Sequence, residues 1–252
     1  MYSKQSTFKN YNLYRMEKED FTLVKDFLDR QREKLDRIEF FYPYKDSELV
    51  EVLDKGYFLG LFDGQKLIAT FAIDYDEDYA KQIADIINSS CDIGLDRAYE
   101  SSGLMVDEAY RGQGIAGFLM DKICVEASRK NINICGVVQI CNAASMNTFF
   151  SRGFELRGLY SMGGVYDFGY LLRRAENTNL QNMEKFSKLI LQSPSKYDII
   201  VDVEREVSNS DIATQRKMLA EGYYGIHCDK KRIFYSKKYF LTLFFLKFTN
   251  FY

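Results

Sequence analysis

The sequence predicts a mixed α/β fold, and three observations carry that expectation. Apolar runs of strand length alternate with segments whose apolar residues recur at helical spacing. Asp63-Gly64 sits between two aromatic-rich apolar runs, a strong hairpin signal because that turn needs positive φ. A turn with closely spaced glycines, Arg111 to Gly117, joins an apolar strand to an amphipathic helix.

In chain order, Asn12–Met16 reads as a short strand and Lys18–Leu35 as a helix, with Phe21, Val24, Phe27 and Leu28 on one face. Pro43 marks a break, and Asp46-Ser47-Glu48-Leu49 opens a second helix with acidic residues at its positive end. Tyr57–Phe62 and Lys66–Ile73 form the hairpin strands around Asp63-Gly64. A helix over Asp78–Ser89 leads to a strand at Ala98–Val106, the glycine turn and a helix over Gly114–Lys130. A buried strand (Ile134–Ile140), a helix (Ala143–Arg152) and two strands (Phe154–Tyr160, Tyr166–Leu172) complete a first domain, residues 10–175. Ala175–Asn179 reads as a linker to a smaller C-terminal α/β subdomain, residues 176–252. There a helix (Leu180–Leu191), a strand (Asp198–Val203) and a helix (Asp211–Glu221) precede an apolar end.

Composition narrows the function. With 252 residues, 46% hydrophobic and 28% charged, the chain can bury a sizeable core and long disorder is not expected. Thirty-four basic against 36 acidic residues leave a net charge of -2, which argues against a dedicated nucleic-acid binder. Five cysteines and the single His227 form no CxxC pair and no zinc-ligand spacing, so no metal is expected. The cysteines read as reduced, mostly buried thiols of a cytoplasmic protein, Cys141 among them. Met1–Gln5 is polar, unlike a signal peptide. The apolar run Tyr239–Phe248 is too short to span a bilayer and reads as a buried final strand, so no membrane partner is expected.

The chemistry concentrates at Gly103–Gly117. Unpaired backbone N–H groups at a helix N-terminus bind phosphate oxygens, and Gly112, Gly114 and Gly117 would let that backbone approach a pyrophosphate. From the spacing alone, a capped turn that binds nothing is equally open. Neither GxxxxGK[ST] nor GxGxxG is present.

At these residues the chain resembles the GNAT acyltransferase superfamily. Arg111-Gly112-Gln113-Gly114-Ile115-Ala116 matches the fixed positions of its [QR]xxGx[GA] pyrophosphate motif. Downstream, Asn142 through Phe154 is similar to the family's NxxSxxx[Y]xxxGF helix-and-strand element. The resemblance implies a GNAT fold, a central twisted mixed sheet flanked by helices. It also implies acetyl-CoA as acyl donor and transfer of the acetyl group to a primary amine, with a small-molecule acceptor favoured by family frequency.

The resemblance further implies residue roles. The donor's pyrophosphate would lie on Arg111, Gly112, Gln113, Gly114, Ile115, Ala116 and Gly117, and its pantetheine arm along Leu104, Met105 and Val106. Asn142, Ser145 and Phe149 would flank the pantetheine and acyl end. Glu100 is the candidate general base, against a solvated glutamate at a strand start. Phe149 stands where the family often carries a proton-donating tyrosine, so the thiolate leaves unaided or Ser145, Thr148 or Tyr160 replaces it. A domain that binds acyl-CoA without catalysis, acting as a scaffold, is the alternative, and a longer acyl donor another. Phe41, Tyr42, Tyr44 and Tyr57 lie where the family shapes its acceptor side. The Asp211–Tyr223 segment echoes the spacing of Asn142–Phe154, so the extension reads as a degenerate half-unit serving packing, substrate covering or dimerisation.

Overall fold

Two strands precede the first helix where the sequence signals one. The computed structural model describes residues 4–162, 166–175 and 205–237. β1 (Lys4–Phe8) turns through Lys9, at φ +54°, into β2 (Tyr11–Met16). β1 escapes sequence reading because Phe8 is its sole large apolar residue; pairing with β2 and stacking of Phe8 on Phe118, ring centroids 4.6 Å apart, hold it. The predicted helix from Lys18 starts as a 3₁₀ turn, Lys18–Asp20, before α1 (Phe21–Arg32). Pro43 precedes α2 (Asp46–Lys55), and the predicted hairpin forms as β3 (Tyr57–Asp63) and β4 (Lys66–Ile73).

α3 (Glu77–Cys91) starts at Asp76, whose carboxylate accepts the Tyr79 N–H at 2.9 Å. It buries Ala80, Ile83, Ala84 and Ile87, one face at helical spacing. β5 (Tyr99–Val106), α4 (Ile115–Lys130), β6 (Ile134–Gln139), α5 (Ala143–Phe150), β7 (Glu155–Met162) and β8 (Tyr166–Arg173) follow as expected. β9 (Arg205–Ser208), α6 (Ile212–Ala220), β10 (Tyr224–Cys228) and β11 (Arg232–Ser236) continue the chain. The helix expected at 180–191 and the strands at 198–203 and 239–248 lie outside the described residues.

All eleven strands join one sheet in the order β1-β2-β3-β4-β5-β6-β8-β7-β10-β11-β9. Within it β5 and β6 are the one parallel pair among the described strands. The largest core packs α4 and α5 on the sheet, with Leu119, Met120, Ile123, Met146 and Phe149 against Leu59, Ile68, Phe71 and Ile134. A second core seats α1 and α2 through Val24, Phe27, Leu49 and Val52, and a third seats α3 through Ile83 and Ile87.

The C-terminal residues repeat a local plan. β6-α5-β7-β8 and β9-α6-β10-β11 share the same order, and in each the last strand pairs antiparallel with the first two. Asn142 and Asp211 cap their helices alike, accepting Ser145 N and Thr214 N at 3.1 and 3.0 Å. Each helix closes on a glycine followed by a buried aromatic, Gly153-Phe154 and Gly222-Tyr223. The units meet edge to edge at β7 and β10, with α5 packed on β10 and α6 on β7.

Among the described residues no helix is long and apolar enough to cross a membrane, and no group of three or more His, Cys, Asp or Glu could hold a metal ion. Cys124, Cys135 and Cys228 are buried and Cys91 half-buried. Cys141 is exposed, contrary to the buried thiol expected: it lies two residues past Gln139, the last of β6 to pair, where the chain leaves the sheet for α5.

Candidate functional site

The site begins with a fault in the sheet. β5 and β6 pair only at Tyr99–Ile134 and Glu100–Cys135; beyond Glu100 their facing edges part. A bulge in β5 contributes to this, because Gly103 and Leu104 together oppose the single Phe71 of β4. Gly103 takes φ +68°, and a Cβ there would stand 2.8 Å from the Tyr44 hydroxyl, so backbone conformation and space both require glycine. The Thr70 hydroxyl donates to Gly103 O at 2.8 Å and pins the bulge to β4.

Beneath the bulge lies Phe149, buried at 3% exposure. Its ring rests so closely on Gly136 of β6 that any Cβ there would overlap it, and it meets Phe71 of β4 edge-on at 6.4 Å. Phe149 therefore floors the gap between β5 and β6 from the α5 side. Leu104 and Val106 are half-buried along the open stretch, and Met105 is buried among α1 and α2.

The glycine turn follows the open end of β5. Gly112 and Gly114 take φ +74° and +83°, which brings successive N–H groups toward one side before α4 starts at Ile115. No hydrogen bond among the described residues engages the N–H groups of Gln113, Gly114, Ile115, Ala116 or Gly117; the first helical bond runs from Phe118 N to Gly114 O. Five orphan donors at a helix N-terminus suit an anionic diphosphate. The turn is braced on both sides. Arg111 Nε donates to Val106 O at 3.2 Å, Lys9 Nζ to Gln113 O at 3.2 Å, and the Tyr11 hydroxyl to Gln113 Oε1 at 3.1 Å. The Arg152 guanidinium, paired with Asp121 at 3.2 Å, lies against the Cα of Gly117 in the space a Cβ would take. The residues present thus fit a coenzyme A diphosphate, with three cations around five free amides.

Glu100 sits at the apex, in the last pair before the strands part. Burial, then the negative charges of Asp74 and Glu48, push its carboxyl up to about 8 from an ordinary 4.5. No hydrogen bond among the described residues ends on its carboxylate. Around it stand Tyr44, which donates to Ser102 Oγ at 2.6 Å, together with Tyr79 and Tyr170. Burial raises all three phenols well above their usual range, and the Glu100 charge adds to each shift. Burial likewise raises the Cys135 thiol.

The remaining sequence candidates divide. Asn142 spends its amide oxygen on capping α5, and Ser145 is the half-exposed residue whose N–H it caps. Thr148 turns its hydroxyl back to Ala144 O at 3.0 Å. Tyr160 lies on β7 opposite Phe168, 45% exposed. Of the aromatics expected on the acceptor side, Tyr44 joins the Glu100 group, Tyr42 is 76% exposed, and Tyr57 sits under Arg15. Sequence reasoning missed Asp74, Tyr79 and Tyr170. Asp74 meets Glu100 only through the β4–β5 register across α3, and the two tyrosines come from distant elements, so none of the three carries a local signal.

Comparison with known proteins agrees with this geometry. The profile of the acetyltransferase (GNAT) family matches residues 11–154. An N-acetyltransferase from Staphylococcus aureus Mu50 superposes with a TM-score of 0.51 at 15% identity, covering 66% of this chain and 99% of its own. A GNAT-family acetyltransferase from Streptococcus pneumoniae gives 0.50 at 16% identity, covering 65% and 98%. No curated protein sequence matches the chain.

Proposed function

This chain belongs to the GNAT family of acetyltransferases, and we propose that it transfers an acetyl group from acetyl-CoA to the primary amine of a small molecule by direct attack. The observation that carries this reading is the succession of three features along β5 and into α4. Glu100 is the last β5 residue to pair with β6, the edge beyond it is open, and five amides at the start of α4 follow the end of β5 without a partner among the described residues. In this reading Gln113–Gly117 hold the diphosphate, and the open edge of Leu104–Val106 takes the pantetheine arm by backbone pairing. Acetyl-CoA supplies the activated thioester carbonyl. The amine nitrogen forms its bond to that carbon as the carbon–sulfur bond breaks, with no enzyme-bound acyl group.

Glu100 takes the proton the amine gives up. A carboxylate with its pKa near 8 is a stronger base than an ordinary one and is matched to proton transfer near neutral pH. Phe149 offers no proton, and its burial over Gly136 supports a packing role under the thioester. The departing thiolate then leaves unaided or draws on Ser145 or Tyr160. The capping role of Asn142 favours its holding α5 in place, with its amide nitrogen left for the pantetheine. For residues 176–252 we propose a half-copy of the β6-α5-β7-β8 plan, supported by the matching strand order and caps of the part described.

The test is release of CoA thiol from acetyl-CoA against a panel of primary amines, with the acetylated product identified by mass. Amine-dependent release, lost in Glu100→Gln, supports the reading. Acetyl-CoA binding with no release for any amine would favour an acyl-CoA-binding scaffold instead.

A further inference from the structure

The register of the antiparallel β4–β5 pair sets two carboxylates face to face. Ile73 pairs with Ser101, and the next step puts Asp74 opposite Glu100, with Asp74 N–H donating to Glu100 O at 2.9 Å. Directly opposed residues share a face with Cβ atoms roughly 5 Å apart, and like charges there repel. The charges that act on Glu100 are those of Asp74 and Glu48, both negative, and those that raise Asp74 further are Asp76, Glu51 and Glu48. Among the described residues no lysine or arginine pairs with either carboxylate. Glu48, by contrast, is already matched by Lys45, at 2.8 Å.

A second observation points to a ligand. Tyr170 of β8 is 6% exposed, yet its hydroxyl has no hydrogen-bond partner among the described residues, and it lies within electrostatic reach of Glu100. Tyr79, in the first turn of α3, likewise carries an unpartnered hydroxyl within reach of both Glu100 and Asp74. Tyr44 closes the group from the α2 side through Ser102. Asp74 accepts one backbone N–H, from Asp76 at 3.1 Å, and neither carboxylate has a cationic partner among the described residues. Two such carboxylates walled by phenol rings and hydroxyls suit a ligand with two ammonium groups: the carboxylates supply counter-charge, the rings favour cations over their faces, and the hydroxyls accept N–H bonds.

Resting on the acetyltransfer reading above, we infer that the acceptor is a dicationic diamine, with one amine at Glu100 for acetylation and its second ammonium held by Asp74. The separation of the two carboxylates fits amines spaced by roughly three or four methylenes. The reacting ammonium loses one proton to solvent as it enters and attacks as the neutral amine. Glu100 receives the second proton as the amide forms and the CoA thiolate departs, and the other amine stays protonated throughout, so the acceptor leaves as a singly acetylated cation.

The experiment uses the full chain with acetyl-CoA and compares 1,4-diaminobutane with n-butylamine by CoA-thiol release, in wild type and in Asp74→Asn. The diamine should exceed the monoamine in kcat/KM by about tenfold or more, the worth of one charge-assisted contact. In Asp74→Asn that ratio should collapse toward one, chiefly through KM, while the thermal midpoint does not fall, because a like-charge pair is relieved. A wild-type ratio of one or below, or a ratio untouched by Asp74→Asn, overturns the inference. Should neither amine turn over, calorimetry of 1,4-diaminobutane with CoA present decides: binding weakened by Asp74→Asn supports the subsite, and no binding overturns it. Failure of acetyl-CoA itself to bind would instead remove the donor reading, whichever acceptor is used.

Discussion

Replacing Glu100 by glutamine keeps the side chain's shape and removes its titration, which turns the crowding at the apex into a measurable pH dependence of stability. The carboxyl is raised from 4.5 to about 8, by burial first and then by Asp74 and Glu48. An acid whose folded pKa lies above its unfolded value holds a proton in the folded state that the unfolded chain has lost. It therefore costs stability as pH rises from about 4.5, and the cost levels off above about 8. Each pH unit in that window is worth about 1.4 kcal/mol, and rounding at both ends leaves about 3 kcal/mol between pH 5.5 and 9. Asp74, also raised, and the phenols of Tyr44, Tyr79 and Tyr170 face the same space and remain in both proteins, so their contribution largely cancels in the comparison. Urea unfolding of wild type and Glu100→Gln across that range is the assay. The variant should gain on wild type steadily up to pH 8 and then run parallel. A difference that stays constant from pH 5.5 to 9 would refute the claim that its surroundings raise the Glu100 carboxyl.

Further substitutions probe the parts that shape the site. Gly103→Ala forces a side chain into φ +68° and against the Tyr44 hydroxyl, and should cost about 2–3 kcal/mol in denaturant unfolding; a loss under about 0.5 kcal/mol would show that the bulge is not held as described. Gly136→Ala drives a methyl into the Phe149 ring and should cost about 1–3 kcal/mol by the same measurement. Asp211→Ala removes the α6 cap and should cost about 1 kcal/mol, seen as earlier amide exchange in Thr214 and its neighbours. Tyr11→Phe frees the Gln113 side chain and should weaken acetyl-CoA binding about fivefold by calorimetry with little change in thermal midpoint.

What could be read from the sequence was local. Asp63-Gly64, the Arg111–Gly117 turn and the apolar faces of α1, α3 and α4 are decided within a few residues, and each forms where its pattern lies. β1 was invisible because its support comes from Phe118, more than a hundred residues away. β9, β10 and β11 are short, and their pairing with each other and with β7 is what makes them strands. The candidate site splits along the same line. Its anion-binding turn is contiguous and carries a motif, whereas the group around Glu100 draws on β4, β8, α3 and the segment before α2, and only the sheet register brings these together. Asn142 was legible as a polar residue at a helix start, but that pattern does not distinguish a cap from a ligand contact.

Everything proposed for the site requires that the amides of Gln113–Gly117 bind the diphosphate of acetyl-CoA. Titrating acetyl-CoA into wild type and Gly114→Val by calorimetry tests it. Gly114 stands at φ +83°, so valine must distort the turn and turn the donors away, while its Cβ would meet only the Phe8 ring, at an ordinary 3.9 Å. Saturable binding to wild type, lost in a variant that stays folded by circular dichroism, is the predicted result. Equal affinity in the two proteins, or no binding to wild type, would contradict it.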